Sequence, residues 1–523
     1  MCEALFGHPG MIGSNGLRYS NLSVFAPLLV ASASVLTQPA CAQSWSTVAT
    51  LQANARATTN GNRAPSGEER KDLVTSLRPS LFLSAEGTGL KVTTSMTLDL
   101  VADARGGSGF QAVPALRGDA KATLASGWLF VEAAMDIHQV EVDPFAARVE
   151  STSQTNGRLS KAYRISPYLS HQFSPTSGVL VRHDEDGTAS GSSGVTGQET
   201  SKTVVRFERK AVAVPASVEW QRQEVRFSGS GHGQWTLESM KARFDFSLPG
   251  DLVAGPNIGQ ERSTFALGKH IDGLYGAHLR WNPTERSQLT AELEHRFFGT
   301  SWDLNARHRT PLMSLALRWS RTPLTSATSL GVASAGTDLT TFLDAILTTR
   351  YPDAAARGAL VNNLISSRGL STQLQGAVDF RAEYAQLQDT VNFTWVLLSG
   401  RSSLSVTAYR QSLRLLTRPS DPVNALLAAG ADNEQTGVTL GLNRKLTPRM
   451  SADLTLTRSR VTGLSARQGD DSEERTHRLS ATLDLSMRTT ASAGVQYNRF
   501  SSSVVGINDH VATSAFVGLN HRF

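Results

Sequence analysis

Acidic side chains crowd together at two places in this sequence. His183, Asp184, Glu185 and Asp186 are consecutive, and Asp470, Asp471, Glu473 and Glu474 form a second group nearer the C-terminal end. Clustered carboxylates offer the hard oxygen ligands that calcium takes, and they would also suit a cation bridging lipopolysaccharide phosphates. Neither group has the full spacing of a calcium-binding loop, so a solvated acidic loop is the simpler reading of both. A second candidate chemistry is basic. In Val218–Phe227, Arg222 and Arg226 share a strand face with Trp220. Arginines lining a pore on many strands would favour anionic solutes, while arginines close to a lipopolysaccharide surface would give the same pattern.

Catalytic signatures are missing. The sequence has no Gly-x-Ser-x-Gly elbow, no His-Glu-x-x-His pair and no phosphate-binding glycine loop. Its 12 histidines keep a hydrolase sited at a barrel rim as a weaker alternative, but no nucleophile–base pattern supports one. The chain therefore reads as a non-enzyme without cofactor or resident metal. A net charge of +6 would point to nucleic acid only if the basic residues clustered. They alternate along strands instead, and no nucleic-acid partner is expected. Cysteine occurs twice, as Cys2 and Cys41, which leaves no thiolate for a metal centre or haem attachment beyond the leader.

The elements that must position these residues are strands. In His477–Met487 the apolar Leu479, Ala481, Leu483 and Leu485 alternate with Arg478, Ser480, Thr482 and Asp484. Met450–Thr457, Leu404–Ala408 and Ala491–Tyr497 repeat the pattern. Alternation places one row of side chains on each face of a strand. One such strand proves little, since any half-buried antiparallel sheet alternates. Here the pattern recurs over hundreds of residues with no second layer to cover the sheet. Only 40% of residues are hydrophobic and 18% are charged. A secreted β-helix or sandwich array would need a fixed short repeat or clear domain boundaries, and neither is visible. The expected fold is all-β: a large antiparallel transmembrane β-barrel of roughly 20 to 24 strands, apolar toward lipid and polar toward the lumen.

The two ends fit that address. Leu22–Leu36 is an apolar run after Arg18, followed by Pro39-Ala40-Cys41-Ala42, which reads as a cleaved secretory signal over residues 1–42. Met11 would serve equally well as the start, and Gln38 and Pro39 fit a lipoprotein site at Cys41 poorly. Residues 43–523 are then the barrel. At the other end Ala515, Val517, Leu519, His521 and Phe523 form one face of an alternating strand finishing on an aromatic. This is the form of a C-terminal β-signal read by the barrel-assembly machinery, with His521 standing where an aromatic is commoner.

Long and short connections alternate as outer loops and inner turns do in such barrels, with both termini periplasmic. Ser501–Asp509, Thr462–Arg475, Thr417–Glu434 and Asp184–Thr200 read as outer loops. Arg488–Thr490, Leu446–Arg449 and Ser399–Ser402 read as inner turns. The exception is Asp338–Leu370. Leu339, Phe342, Leu343, Ile346 and Leu347 have helical spacing, and so do Leu360, Val361, Leu364 and Ile365 after Pro352, with Gly369 as a stop. This predicts a helical hairpin inserted within the barrel at residues 338–370. Counting back through strands near Gln375–Tyr384 and Thr390–Ser399 puts it on the periplasmic side. It reads as a simple self-packed link, a lumen plug, or a docking site for a periplasmic partner.

Four stretches carry a family resemblance: Gly127–Gln139 (GWLFVEAAMDIHQ), Tyr163–Pro175 (YRISPYLSHQFSP), Tyr351–Leu370 and Leu442–Val461 (LNRKLTPRMSADLTLTRSRV). Lys71-Asp72-Leu73-Val74 followed by Arg78-Pro79-Ser80-Leu81 adds to it. Together they resemble the PEP-CTERM system-associated outer-membrane protein family, barrel proteins of exopolysaccharide and exosortase loci in proteobacteria. The resemblance spans nearly the whole exported chain and carries over no site residues. It implies a place in the outer membrane of a Gram-negative bacterium, and a pore or accessory role near exopolysaccharide export. Exopolysaccharide, periplasmic export components and lipopolysaccharide are the partners it implies. A non-conducting scaffold that anchors a periplasmic or surface complex is the alternative.

Overall fold

A computed structural model of the protein describes residues 44–104, 110–125, 127–141, 143–148, 156–190, 197–210, 212–228, 234–265, 268–324, 339–348, 386–416 and 432–523, with Tyr351, Arg357, Leu360 and Val361. The expected signal over 1–42 lies outside these residues. In order, the strands are β1 (Ser44–Thr58), β2 (Asp72–Glu86), β3 (Leu90–Asp103), β4 (Phe110–Ala125), β5 (Leu129–Glu141), β6 (Gly157–Ser174), β7 (Ser177–Ser190) and β8 (Gly197–Arg209). There follow β9 (Ala216–Ser228), β10 (Trp235–Phe244), β11 (Phe246–Leu248), β12 (Leu252–Phe265), β13 (Gly268–Thr284), β14 (Ser287–Arg296), β15 (Gly299–Arg309) and β16 (Met313–Leu324). Helix α1 (Leu339–Leu347) precedes β17 (Gln386–Leu398), β18 (Ser402–Leu415), β19 (Asn433–Thr447), β20 (Met450–Gly463), β21 (Asp471–Asp484), β22 (Thr489–Ser502) and β23 (His510–Arg522).

Each strand pairs antiparallel with its sequence neighbour. β10 and β11 both pair with β12 and are one strand broken at Asp245, so the barrel has 22 strands. It closes where β1 meets β23, in register from Thr50↔Arg522 to Thr58↔Ser514. The backbone N–H of Phe523 donates to the Ala49 carbonyl at 3.0 Å, extending that seam. Among the described residues closure leaves no free edge strand, as a lipid environment requires.

The side-chain distribution is inverted relative to a water-soluble protein. Met240, Ile258, Ile271, Leu293, Val438 and Leu479 face outward and are each more than half exposed. Thr200, Asn257 and Glu261 face the lumen and are fully buried. Apolar surface on this scale, repeated on strand after strand, is what a bilayer accommodates and water does not. Ring pairs border the band: Tyr275 stacks on His295 with centroids 4.9 Å apart, and Trp302 meets Trp319 edge-on at 5.4 Å.

Turns at the end holding the start of β1 and the finish of β23 (the terminal end) are short. Between β11 and β12, Pro249-Gly250-Asp251 turns the chain with φ of 82° at Gly250 and 55° at Asp251, and glycine adopts that left-handed backbone at little cost. Longer connections lie mostly at the opposite, distal end.

Three sequence expectations need correction. Asp184–Thr200 is not a loop: β7 runs to Ser190 and β8 starts at Gly197. Outside the lipid band a barrel strand loses its apolar rows and takes on the composition of a loop. Second, of the expected hairpin the described residues hold one α-helical element, α1, with Arg357, Leu360 and Val361 as isolated helical residues; a 3-10 turn at Ser465–Arg467 lies elsewhere. Leu364 and Ile365 fall outside the described residues, while Leu360 and Val361 lie against α1. Third, the insert does not connect strands at the terminal end, where the sequence pattern places it. β16 pairs directly with β17 from Met313↔Leu397 to Leu324↔Gln386, so no strand near Gln375–Tyr384 comes between them. The connection leaves and rejoins the sheet at the distal end.

Candidate functional site

The lumen is the site that these strands build, and described residues obstruct it at both ends. At the terminal end the obstruction is α1. Leu339, Phe342, Leu343, Ile346 and Leu347 pack with Val361 against Val396, with Ala316, Leu360 and Leu398 at the margin. Val396 and Leu398 lie on the face of β17 that also carries Gln388, Thr390 and Thr394. Leu387, Val391, Phe393, Trp395 and Leu397 occupy the other face. In register, Ala316 is opposite Thr394 on that same lumen face. α1 therefore sits inside the barrel, although its connection to the sheet is at the other end. Arg309, the last residue of β15, donates from Nη1 to the Ala345 carbonyl at 3.5 Å. Asp344 of α1 receives Arg357 Nε at 2.6 Å.

At the distal end the segment after β5 folds inward. Arg148 Nη2 donates to the Tyr409 hydroxyl on β18 at 2.6 Å, and Arg63 Nη1 donates to the Arg148 carbonyl at 2.9 Å. Phe145 is fully buried beneath the Arg467 guanidinium, 4.0 Å from the ring centroid. Burial disfavours the charge on Arg148, but Tyr409, Glu474 and Glu141 more than offset it and raise its pKa above the ordinary guanidinium value. A separate apolar cluster at this end joins Val225, Trp235, Leu237, Phe297, Phe298, Leu387 and Leu416.

Between the two ends the lumen wall is charged but largely paired. Lys241 Nζ lies 2.8 Å from Glu292 and 2.9 Å from Glu294, and Arg243 lies 2.9 Å from Glu292. Asn257 Nδ2 donates to both glutamates at 3.0 Å. His278 joins the group through Asn257 Oδ1 at 2.8 Å and Asp245 Oδ1 at 2.7 Å. Gly276 stands between Asn257 and Glu294 in register; a Cβ there would lie 2.0 Å from the Leu293 carbonyl oxygen. Its missing side chain lets the wall curve tightly enough for β10 and β14 to share these charges.

A different surface lines the lumen toward the terminal end. Phe130 and Tyr168 stack with centroids 4.9 Å apart. Lys121 Nζ sits 5.5 Å from both rings, and the Arg182 guanidinium 5.3 Å from Tyr168. Glu132 accepts from Arg182 Nη1 at 2.9 Å and pairs with Lys121 at 3.3 Å. The ring faces attract both cations, and Glu132 and Asp184 hold them there.

The sequence-derived candidates are dispersed. Strand alternation splits the first acidic group: Asp184 and Asp186 face the lumen beside Arg182 and Arg164, while His183 and Glu185 face outward. In the second group Asp470, just before β21, pairs with Arg467, Asp471 with Arg460, and Glu473 with Arg458 and Arg475, while Glu474 accepts from Asn498 Nδ2 at 2.7 Å. Among the described residues no three His, Cys, Asp or Glu side chains come together as a metal site. Arg222 and Arg226 lie on the outward face with Val218 and Trp220, not in the lumen. At the terminal-end rim the Ser287 hydroxyl and His308 Nδ1 are 2.8 Å apart on the outward face. Ala515, Val517 and Leu519 face outward on the closing strand, and His521 meets Phe523 edge-on at 4.8 Å. Sequence reasoning missed Arg148 and Tyr409, because a pairing between residues 261 positions apart leaves no local signal.

Among solved structures the chain is similar to the FrpB iron transporter from Neisseria meningitidis (F5-1 variant), with 8% identity, 91% of this chain and 82% of that one covered, and a TM-score of 0.47. It is similar to the siderophore receptor PirA from Pseudomonas aeruginosa at 10% identity, covering 90% of this chain and 80% of that one, with a TM-score of 0.40. It is similar to Pseudomonas aeruginosa OpdO at 9% identity, covering 91% and 97%, with a TM-score of 0.31. No family model matches the chain, and no curated protein matches it.

Proposed function

We propose that the chain is an outer-membrane pore of a Gram-negative bacterium, held closed at rest and opened to pass an acidic exopolysaccharide. The observation that carries the reading is α1, seated on the lumen face of β16 and β17 far from where its connection leaves the sheet. An amphipathic helix that merely linked two strands would have no reason to lie there. The stacked Phe130 and Tyr168 with Lys121 and Arg182 suit a sugar chain bearing acidic groups. The link to exopolysaccharide rests on the resemblance to PEP-CTERM-associated barrels. In the same reading Ala515, Val517, Leu519, His521 and Phe523 are the signal taken by the assembly machinery.

The second reading, a non-conducting scaffold, is favoured by the pairing of wall charges such as Lys241 with Glu292 and Glu294. Single-channel conductance separates the two. The refolded barrel is compared with a variant whose Asp338–Leu370 is replaced by a short linker. Conductance that rises on replacement supports the closed pore, and silence from both forms leaves the scaffold.

A further inference from the structure

Three arginines stand side by side on the outward face near the distal end. Arg458 on β20 is in register with Arg475 on β21, and Arg475 with Arg499 on β22. All three are exposed, and neighbouring strands bring such residues within about 5 Å of one another. Like charges directly opposite across a sheet repel, so the row is unfavourable unless anions offset it. Glu473 accepts from Arg458 Nε at 2.9 Å and also receives Arg475 Nε. That single carboxylate serves two guanidiniums, and Arg499 pairs with no carboxylate among the described residues. Three guanidiniums therefore share one carboxylate, and the row keeps an excess of positive charge.

The row's position says what meets it. One step toward the terminal end, the next outward row is Leu456, His477 and Tyr497. The row after that is Leu454, Leu479 and Val495, the last two of which are half exposed. At its ends the arginine row is flanked by Val438 and Val511, both also about half exposed. A ring row above an apolar band marks the level at which lipid gives way to headgroups. Arginine is the side chain that engages phosphate with two parallel hydrogen bonds. We propose that Arg458, Arg475 and Arg499 form a binding site for the phosphorylated glycolipid headgroup of the outer leaflet. The proposal rests on the outer-membrane reading and not on the pore reading.

The test uses the full barrel in detergent, with diphosphorylated lipid A as the probe and native mass spectrometry as the readout. Dephosphorylated lipid A and inorganic phosphate serve as comparison ligands. The wild type should retain lipid A, and R458Q/R475Q/R499Q should weaken retention about tenfold or more, the scale of losing charge-assisted phosphate contacts. The control R286Q/R449Q/R488Q, at the opposite rim, should bind as the wild type does. Heat-modifiable migration on gels checks that each variant is folded; if the triple variant is not, R499Q alone should still lower retention. Equal retention by the triple variant, or equal binding of the dephosphorylated lipid, overturns the site. Competition by inorganic phosphate at the lipid's own concentration would also overturn it, by showing a general anion site. Impermeant maleimide labelling of S503C in intact cells reads the orientation separately, so failure of the outer-membrane reading is distinguished from failure of the lipid site.

Discussion

The guanidinium of Arg148 donates to the Tyr409 hydroxyl at 2.6 Å and ties the segment after β5 to the inner wall of β18. Gly437, on the neighbouring β19, makes room for the ring: a Cβ there would meet the Tyr409 ring at 2.4 Å. Arg148→Ala removes the tie and leaves a buried hydroxyl without its donor, a loss of about 1.5–3 kcal/mol for a bond to a charged group. The expected outcome is more frequent opening in single-channel records with the barrel still folded. Tyr409→Phe should behave the same way, and the double variant should add little, since both remove one contact. Unchanged records for both variants would remove this contact from any closing role.

Leu343 and Ile346 are fully buried between α1 and the barrel wall. A carboxylate at either position has no partner there, and burying it costs several kcal/mol. Ile346→Asp is therefore expected to release α1 and increase conductance while leaving the unfolding of the barrel itself unchanged. Leu343→Ala, which leaves a cavity costing about 2–5 kcal/mol, should do so partially. A lower barrel melting temperature with no change in conductance would make the helix a brace rather than a closure.

Val517 faces lipid on the closing strand and is more than half exposed to it. Val517→Arg is expected to cost about 2–4 kcal/mol near the bilayer centre, read as a shift in urea unfolding in lipid vesicles. Gln496→Arg, on the lumen face of β22, should shift it far less. Equal shifts would mean that the two faces have been assigned the wrong way round.

Two glycines on β13 offer a paired test of wall curvature. A side chain at Gly276 collides with the Leu293 carbonyl, whereas at Gly273 nothing lies within 4 Å. Gly276→Val should slow folding into vesicles and lower the yield of heat-modifiable barrel. Gly273→Val should leave both close to wild type.

The sheet was legible in the sequence wherever strands cross lipid. β20 to β22 sit where the alternation of Met450–Thr457, His477–Met487 and Ala491–Tyr497 puts them, except that β21 ends at Asp484, because one apolar row per strand is what lipid demands. The pattern fades above the band. Asp184–Thr200 reads as loop because its strand faces water on one side and a charged lumen on the other, so neither row is apolar. The lumen was less legible still. Periodicity showed that Leu343 and Ile346 share a helical stripe, but not what the stripe covers. That depends on β16 pairing directly with β17, which a strand-like stretch at Gln375–Tyr384 concealed. Arg222 and Arg226 were placed on one face correctly, yet only the sheet's closure decides which face is inside.

The outward row of leucines and valines described above exists only once the barrel has closed. In the extended chain most of those residues are flanked by serine, threonine, glycine or a charge, and the run of about 20 apolar residues that a membrane-spanning helix needs does not occur in the barrel sequence. Such a chain can cross the cytoplasmic membrane, stay dispersed in the aqueous compartment beyond it, and acquire its affinity for lipid in the act of folding. Insertion and folding are then a single event. A variant that closes slowly should accumulate as a water-soluble, protease-sensitive species and not as a membrane-bound intermediate.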